Sequence, residues 1–94
     1  MESLEEAEDL ARKLVILLRD EAERQGIKQV KMAEATGISQ GKISKIYSLQ
    51  QMASLPQLLR ITEALVISLA VAIEAVENDQ PLNRPGSLGA VEES

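Results

Sequence analysis

Residues 29–48 read QVKMAEATGISQGKISKIYS, and this stretch decides the fold. Its apolar residues Met32, Ile38, Ile43 and Ile46 fall where two short crossed helices bury them. Two such helices approach closely only if the first offers a small side chain at the contact and the turn tolerates positive φ. Ala33 and Gly37 meet those two conditions. The spacing therefore predicts a helix-turn-helix, with one helix beginning near Gln29 and a second beginning near Gln40. The second helix then projects Gln40, Gly41, Lys42, Ser44 and Lys45 away from the core.

The distribution of charge agrees with that geometry. The whole chain is acidic, at net -5, which by itself argues against a polyanionic partner. Residues 1–23 carry eight acids against Arg12, Lys13 and Arg19, and residues 61–94 carry six acids against Arg84, so each end contributes -5. Between them Arg24, Lys28, Lys31, Lys42, Lys45 and Arg60 face only Glu34, which leaves +5 on the segment that holds the motif. Phosphate binding requires this coincidence. Lys28 and Lys31 fall at the start of the first motif helix and Lys42 in the first turn of the second. There the helix dipole disfavours a cation by a few tenths of a kcal/mol, roughly, unless an anion is to lie on the exposed amides.

These features predict a double-stranded DNA partner. Gln40, Gly41, Lys42, Ser44 and Lys45 are the candidates for base contacts in the major groove, since glutamine suits adenine and lysine suits the acceptors of guanine. Glycine inside a helix costs roughly 1 kcal/mol relative to alanine. Close approach of the helix to a groove wall explains Gly41, and so does chance tolerance. Lys28, Lys31, Tyr47, Ser48 and Gln50 are the candidates for contacts to the sugar-phosphate backbone.

The segments GIKQVKMAEATGISQGKISKIY and ASLPQLLRITEAL together resemble the Cro/CI-type repressor family. Chains of that family typically read Gly-Leu-Thr-Gln, then Leu-Ala, then Gly-Ile-Ser-Gln-x-x-Ile-Ser, then Pro-Ser-Leu and Leu-x-x-Ile-x-x-Ala-Leu. The resemblance spans residues 18–73. It implies an all-α, five-helix (lambda repressor-like) DNA-binding domain, and it implies a phosphate-contacting role for Gln29. Three positions depart from the pattern. Lys28 stands where a Thr or Ser cap is usual, Leu49 where a glycine follows the reading helix, and Val66 where a glycine ends the fourth helix. A missing N-cap oxygen costs about 1 kcal/mol, and a leucine at a left-handed position predicts a different course for the loop 48–53. Ser54 followed by Pro56 still announces a fresh helix, because serine caps and proline fits the first turn.

Outside the motif, Leu4, Ala7, Ala11, Leu14 and Leu18 recur at alternating steps of three and four, with Glu2, Glu5, Glu6, Glu8 and Asp9 crowding the first turns. This predicts one long helix over 4–24. The run Leu14-Val15-Ile16-Leu17-Leu18 is apolar all round and must be buried on more than one side, by the motif and by a second subunit or by a single-subunit core. Residues 64–73, ALVISLAVAI, are uncharged and read as a fifth helix. Ile67, Leu69, Val71, Ile73 and Ala75 also alternate with period two, so 66–76 as an intersubunit strand is the alternative. Leu4, Leu14, Leu18, Ile67, Leu69, Val71 and Ile73 are the expected homodimer interface.

The expected domain spans 1–76. From 77 to 94 two prolines, two glycines and a lack of apolar periodicity predict a disordered acidic tail, either a solvated end or a contact for a protein partner. A chain of 94 residues makes one core with roughly two thirds of its unfolded surface buried, marginal enough for a dimer to help.

The chain has no cysteine and no histidine. That excludes disulfides, thiolate zinc sites and a general base poised near neutral pH, so no cofactor, no metal and no enzymatic activity are expected. Carboxylate pairs such as Glu5 with Glu8, or Asp20 with Glu23, read as exposed helix faces. One tyrosine and no Phe or Trp argue against stacking on single strands. The uncharged run 64–73 falls short of the roughly 20 residues that span a bilayer, and the acidic N-terminus lacks the basic region of a signal peptide. The expectation is a cytoplasmic, nucleoid-associated homodimeric transcription regulator, a repressor of phage or bacterial origin, on half-sites about 34 Å apart. Two rivals keep the fold: an antitoxin that binds DNA and a toxin, and a protein-binding adaptor that no longer touches DNA.

Overall fold

Residues 4–25 contain no glycine or proline, start with Glu5 and Glu6 in the first turn and end with Arg24 in the last, as the helix dipole favours. They form α1, Leu4–Gln25, in the computed structural model, which describes residues 4–79. Four more helices follow: α2 (Gln29–Thr36), α3 (Gln40–Tyr47), α4 (Leu55–Leu65) and α5 (Leu69–Glu77). There is no strand among the described residues, and none of their helices is long and apolar enough to cross a membrane. The expected disordered tail lies outside the described residues from 80 onward. Its first position, Glu77, belongs to α5.

Helix α1 is the spine. Leu14, Val15, Leu18, Glu21 and Ala22 form its buried stripe, and it packs against α3, α4 and α5. Helix α2 closes the other side by packing on α3 and α4. Leu18, Met32, Ile43, Ile46, Ile61 and Leu65 are fully buried where these helices meet.

This arrangement corrects the expected dimer interface. Leu18 retains 1% of its surface and Leu14 5%, so both are spent in the protomer's own core and present nothing to a second subunit. Ile67, Leu69 and Ile73 are partly buried against that same core. Of the expected set only Leu4 and Val71 are exposed. The apolar run 64–73 is two helix ends joined by a turn, with Ala64 and Leu65 in α4 and Leu69 onward in α5. Ala72 and Ala75 are the buried residues of α5, and side chains that small let α5 lie close to α1. The period-two alternation carries no strand.

Capping accounts for most helix boundaries. Ser39, Ser54 and Ser68 accept hydrogen bonds from the amides of Lys42, Gln57 and Val71. At Ser54 the box is reciprocal: its amide donates to Gln57 Oε1 at 2.8 Å, and its hydroxyl accepts from the Gln57 amide at 3.2 Å. Lys28 makes no side-chain cap, so α2 starts without one.

Three helix ends share one geometry. At Gly26, Leu49 and Val66 the chain turns left-handed, with φ of 78, 66 and 59°. Gly26 donates to Glu23 O and Ile27 to Ala22 O; Leu49 to Ile46 O and Gln50 to Lys45 O; Val66 to Glu63 O and Ile67 to Thr62 O. These are Schellman pairs that satisfy the last carbonyls. The loop after α3 therefore takes the left-handed course despite its leucine, contrary to the expectation of a different path. The hydrogen bonds outweigh the roughly 1–2 kcal/mol that a side chain costs in this conformation.

The ends of α1 and α4 are also joined by side chains. Gln25 Nε2 donates to Leu65 O at 3.0 Å and to Glu21 Oε2 at 2.8 Å. The buried Glu21 carboxylate also accepts a fork from Arg24, at 3.1 and 2.7 Å. Hydrogen bonding to Glu21 raises the Arg24 pKa further above its ordinary value.

Candidate nucleic-acid interface

The turn between α2 and α3 is built by three residues. Gly37 takes φ 77° and donates to Ala33 O. Thr36, buried beside it, donates its hydroxyl proton to Met32 O at 2.7 Å and accepts from the Ile38 amide at 3.1 Å. Thr36 thus replaces solvent for a donor that the turn would otherwise bury unpaired. Arg60 of α4 reaches over this turn, its Nη1 lying 3.9 Å from where a Cβ on Gly37 would sit.

Helix α3 then divides cleanly. Ile43, Ile46 and Tyr47 are buried, while Gln40, Gly41, Ser44 and Lys45 are exposed and Lys42 is half-buried. The five residues expected to meet base edges thus flank the buried stripe on the helix's outer side. A Cβ added at Gly41 meets nothing within 4 Å, so no packing within the protomer calls for a glycine there.

A cleft of about 700 Å³ opens beside this helix, between α1, the start of α2 and the end of α3. Lys28, Gln29, Tyr47 and Ser48, four of the expected backbone contacts, line it together with Ser44. Lys31 and Gln50 do not line it. Lys31 lies 3.6 Å from Glu34, an exposed pair too solvated to contribute more than about 1 kcal/mol. At the cleft, the N-terminus of α2, which has no side-chain cap, and Lys28 lie together, an arrangement that suits an anion.

Tyr47 requires a correction. The residue is 8% exposed and its hydroxyl is buried with no hydrogen-bond partner, so the side chain does not present that hydroxyl to a phosphate. Burial raises its pKa. The carbonyl of Tyr47 is used instead, accepting from Arg19 Nη1 at 3.2 Å.

Arg19 is the residue that sequence reading missed. It stands in the acidic first segment of the chain, and its helical position alone does not reveal that α3 ends against it. Glu23, one turn further along α1, lines the same cleft and tempers its positive charge. Ser39 was also missed, although a serine three residues before Lys42 at a helix start carries the N-cap signal.

No protein-family model, no curated protein and no solved structure matches this chain.

Proposed function

We propose that this protein binds double-stranded DNA sequence-specifically as a homodimeric transcription regulator, a repressor of the Cro/CI type, with α3 as its reading helix in the major groove. One observation carries the reading. The outward side of α3, with Gln40, Lys42, Ser44 and Lys45, is continuous through Ser44 with a cleft where Lys28, Arg19 and an uncapped helix N-terminus gather. Base-reading groups and phosphate-holding groups therefore share one surface, the division of labour that docking of a duplex requires. In this reading the backbone strand seats at the start of α2, and Gly41 lets α3 approach the groove without a side chain between them.

The test is fluorescence anisotropy on DNA from upstream of the protein's own gene, between about 50 and 200 mM salt, beside the double variant Lys42→Ala, Lys45→Ala. Tight binding with a steep salt slope, and loss of discrimination against scrambled DNA in the variant, is the expected result. Absence of binding by the wild type at low salt rejects the reading for that site.

A further inference from the structure

Helices α1 and α5 leave a groove of about 430 Å³ between them. Ile16 and Leu17 of α1 and Ala75 and Val76 of α5 give it an apolar lining, and Lys13, Asp20 and Asp79 line it as well. Ile16, Leu17 and Val76 are only partly buried by the described residues. The chain leaves α5 at this groove. Asp79, the last described residue, holds φ 55°, a left-handed conformation that takes the chain off the helix axis. The next residues read Gln80-Pro81-Leu82-Asn83-Arg84-Pro85. Three residues of extended chain span about 10 Å. The stretch of α1 from Lys13 to Asp20, at about 1.5 Å per residue, is of similar length, so Leu82 is within reach of the apolar residues of the groove.

We propose that residues 80–85 fold back into this groove as an intramolecular strap, with Leu82 set against Ile16, Leu17 and Val76, and Arg84 among the acids beside it. Charge selects this segment of the tail. Asp20 and Asp79 line the groove together with Lys13, which is already paired to Asp9 at 3.2 Å. Asp20 lies 3.4 Å from Arg19 Nε in a pair open to solvent, and Glu74 and Glu77 stand exposed on α5 nearby in sequence. The surroundings are therefore acidic. Residues 80–85 carry one cation, Arg84, and no acid, whereas Glu92 and Glu93 fall near the far end of the tail. The near part of the tail complements the groove and the far end is repelled by it.

Residue type favours the same docking. Pro81 and Pro85 restrict their own φ and bias Gln80 and Arg84 toward extended backbone. That bias lowers the entropy lost when an extended segment is laid into a groove. Neither proline brings an N–H that an apolar lining would leave unpaired. Attachment at Asp79 makes the contact intramolecular, with an effective concentration on the order of millimolar, so a single apolar anchor suffices.

The test needs no DNA, so its failure is distinct from failure of the DNA-binding reading. Amide relaxation and methyl spectra of the full chain are recorded for wild type, Leu82→Asp and Arg84→Glu. Expected for wild type are order parameters above about 0.6 from Leu82 to Arg84, with nuclear Overhauser contacts from Leu82 to the methyls of Ile16 or Val76. Docking within one chain does not depend on concentration, so both signals should persist on about tenfold dilution. Leu82→Asp should abolish the contacts, drop the order parameters below about 0.6 and shift the methyls of Ile16, Leu17 and Val76. The signals of Met32 and Ile61, fully buried in α2 and α4, should stay in place and show that the fold is intact. Arg84→Glu should lower the order parameters in the same direction. A wild-type tail with order parameters below about 0.6 from Gln80 onward, leaving the groove to a different partner, overturns the proposal. So does ordering that survives Leu82→Asp, or ordering lost on dilution, which assigns the contact to a second copy.

Discussion

The Arg19 guanidinium of α1 donates to the carbonyl of Tyr47, the last residue of α3, at 3.2 Å. That bond ties the spine of the fold to the exit of the candidate reading helix, and it satisfies a carbonyl the helix cannot use internally. Arg19 also lines the cleft at the start of α2, so it both positions α3 and stands beside the place where a phosphate is proposed to bind.

Replacing Arg19 with methionine keeps most of the stem and removes the donor. A partly exposed bond of this kind contributes about 1 kcal/mol, and stability in urea should fall by that amount. DNA affinity should fall further than in an equally destabilised core variant such as Ile61→Val. Equal losses in the two would reduce Arg19 to a structural role.

Tyr47→Phe removes a buried hydroxyl that has no partner. The variant should be as stable as wild type or more stable by about 1 kcal/mol, and its DNA binding unchanged. The pH dependence follows from the raised pKa. The folded state favours the neutral phenol, so this contribution is fully present below the ordinary tyrosine value near 10 and is lost as pH rises through the higher folded value. Urea midpoints between about pH 8 and 11 should decline less in the phenylalanine variant at the alkaline end. Absorbance of this sole tyrosine follows the titration directly.

The three Schellman ends predict opposite effects for glycine. Val66→Gly relieves about 1–2 kcal/mol of left-handed strain, against a cost of roughly 0.5–1 kcal/mol for the freer unfolded chain. The net gain should raise the thermal midpoint by a few degrees, roughly, at the dilution where the protein is monomeric. Gly26→Ala, at φ 78° with open space around it, should lower the midpoint through backbone strain alone. Midpoints moving in the same direction in both variants would contradict this account of the helix ends.

Gly41→Ala should stabilise α3 by about 1 kcal/mol, since the added methyl meets no atom of the protomer. The proposed groove approach predicts that the same methyl weakens binding to specific DNA. A stability gain with undiminished affinity would leave Gly41 as chance tolerance.

Much of the local structure was legible because it depends on neighbours in sequence. The absence of breakers from 4 to 25, the glycine at 37 and the Ser54-Pro56 pair mark α1, the motif turn and α4 within a residue or so of where they stand. The candidate site was legible in part for the same reason. Gln40, Gly41, Ser44 and Lys45 share the exposed side of one short helix, and Lys28 with Gln29 stands at the start of another.

Other features belong to distant contacts that no spacing encodes. Arg19 meets Tyr47 across 28 positions, and Gln25 meets Leu65 across 40. Leu14 and Leu18 look equally apt for a dimer seam or a core, and only the way α3, α4 and α5 fold over α1 makes them core. The left-handed turns at Leu49 and Val66 run against local preference, because the helix-end hydrogen bonds and the packing on either side hold them there. By itself the sequence determined where helices start and stop and which segment carries the positive charge, both consequences of short-range sterics and residue type. The tertiary structure decided which apolar faces remain for a partner, since burial is a property of the assembled chain.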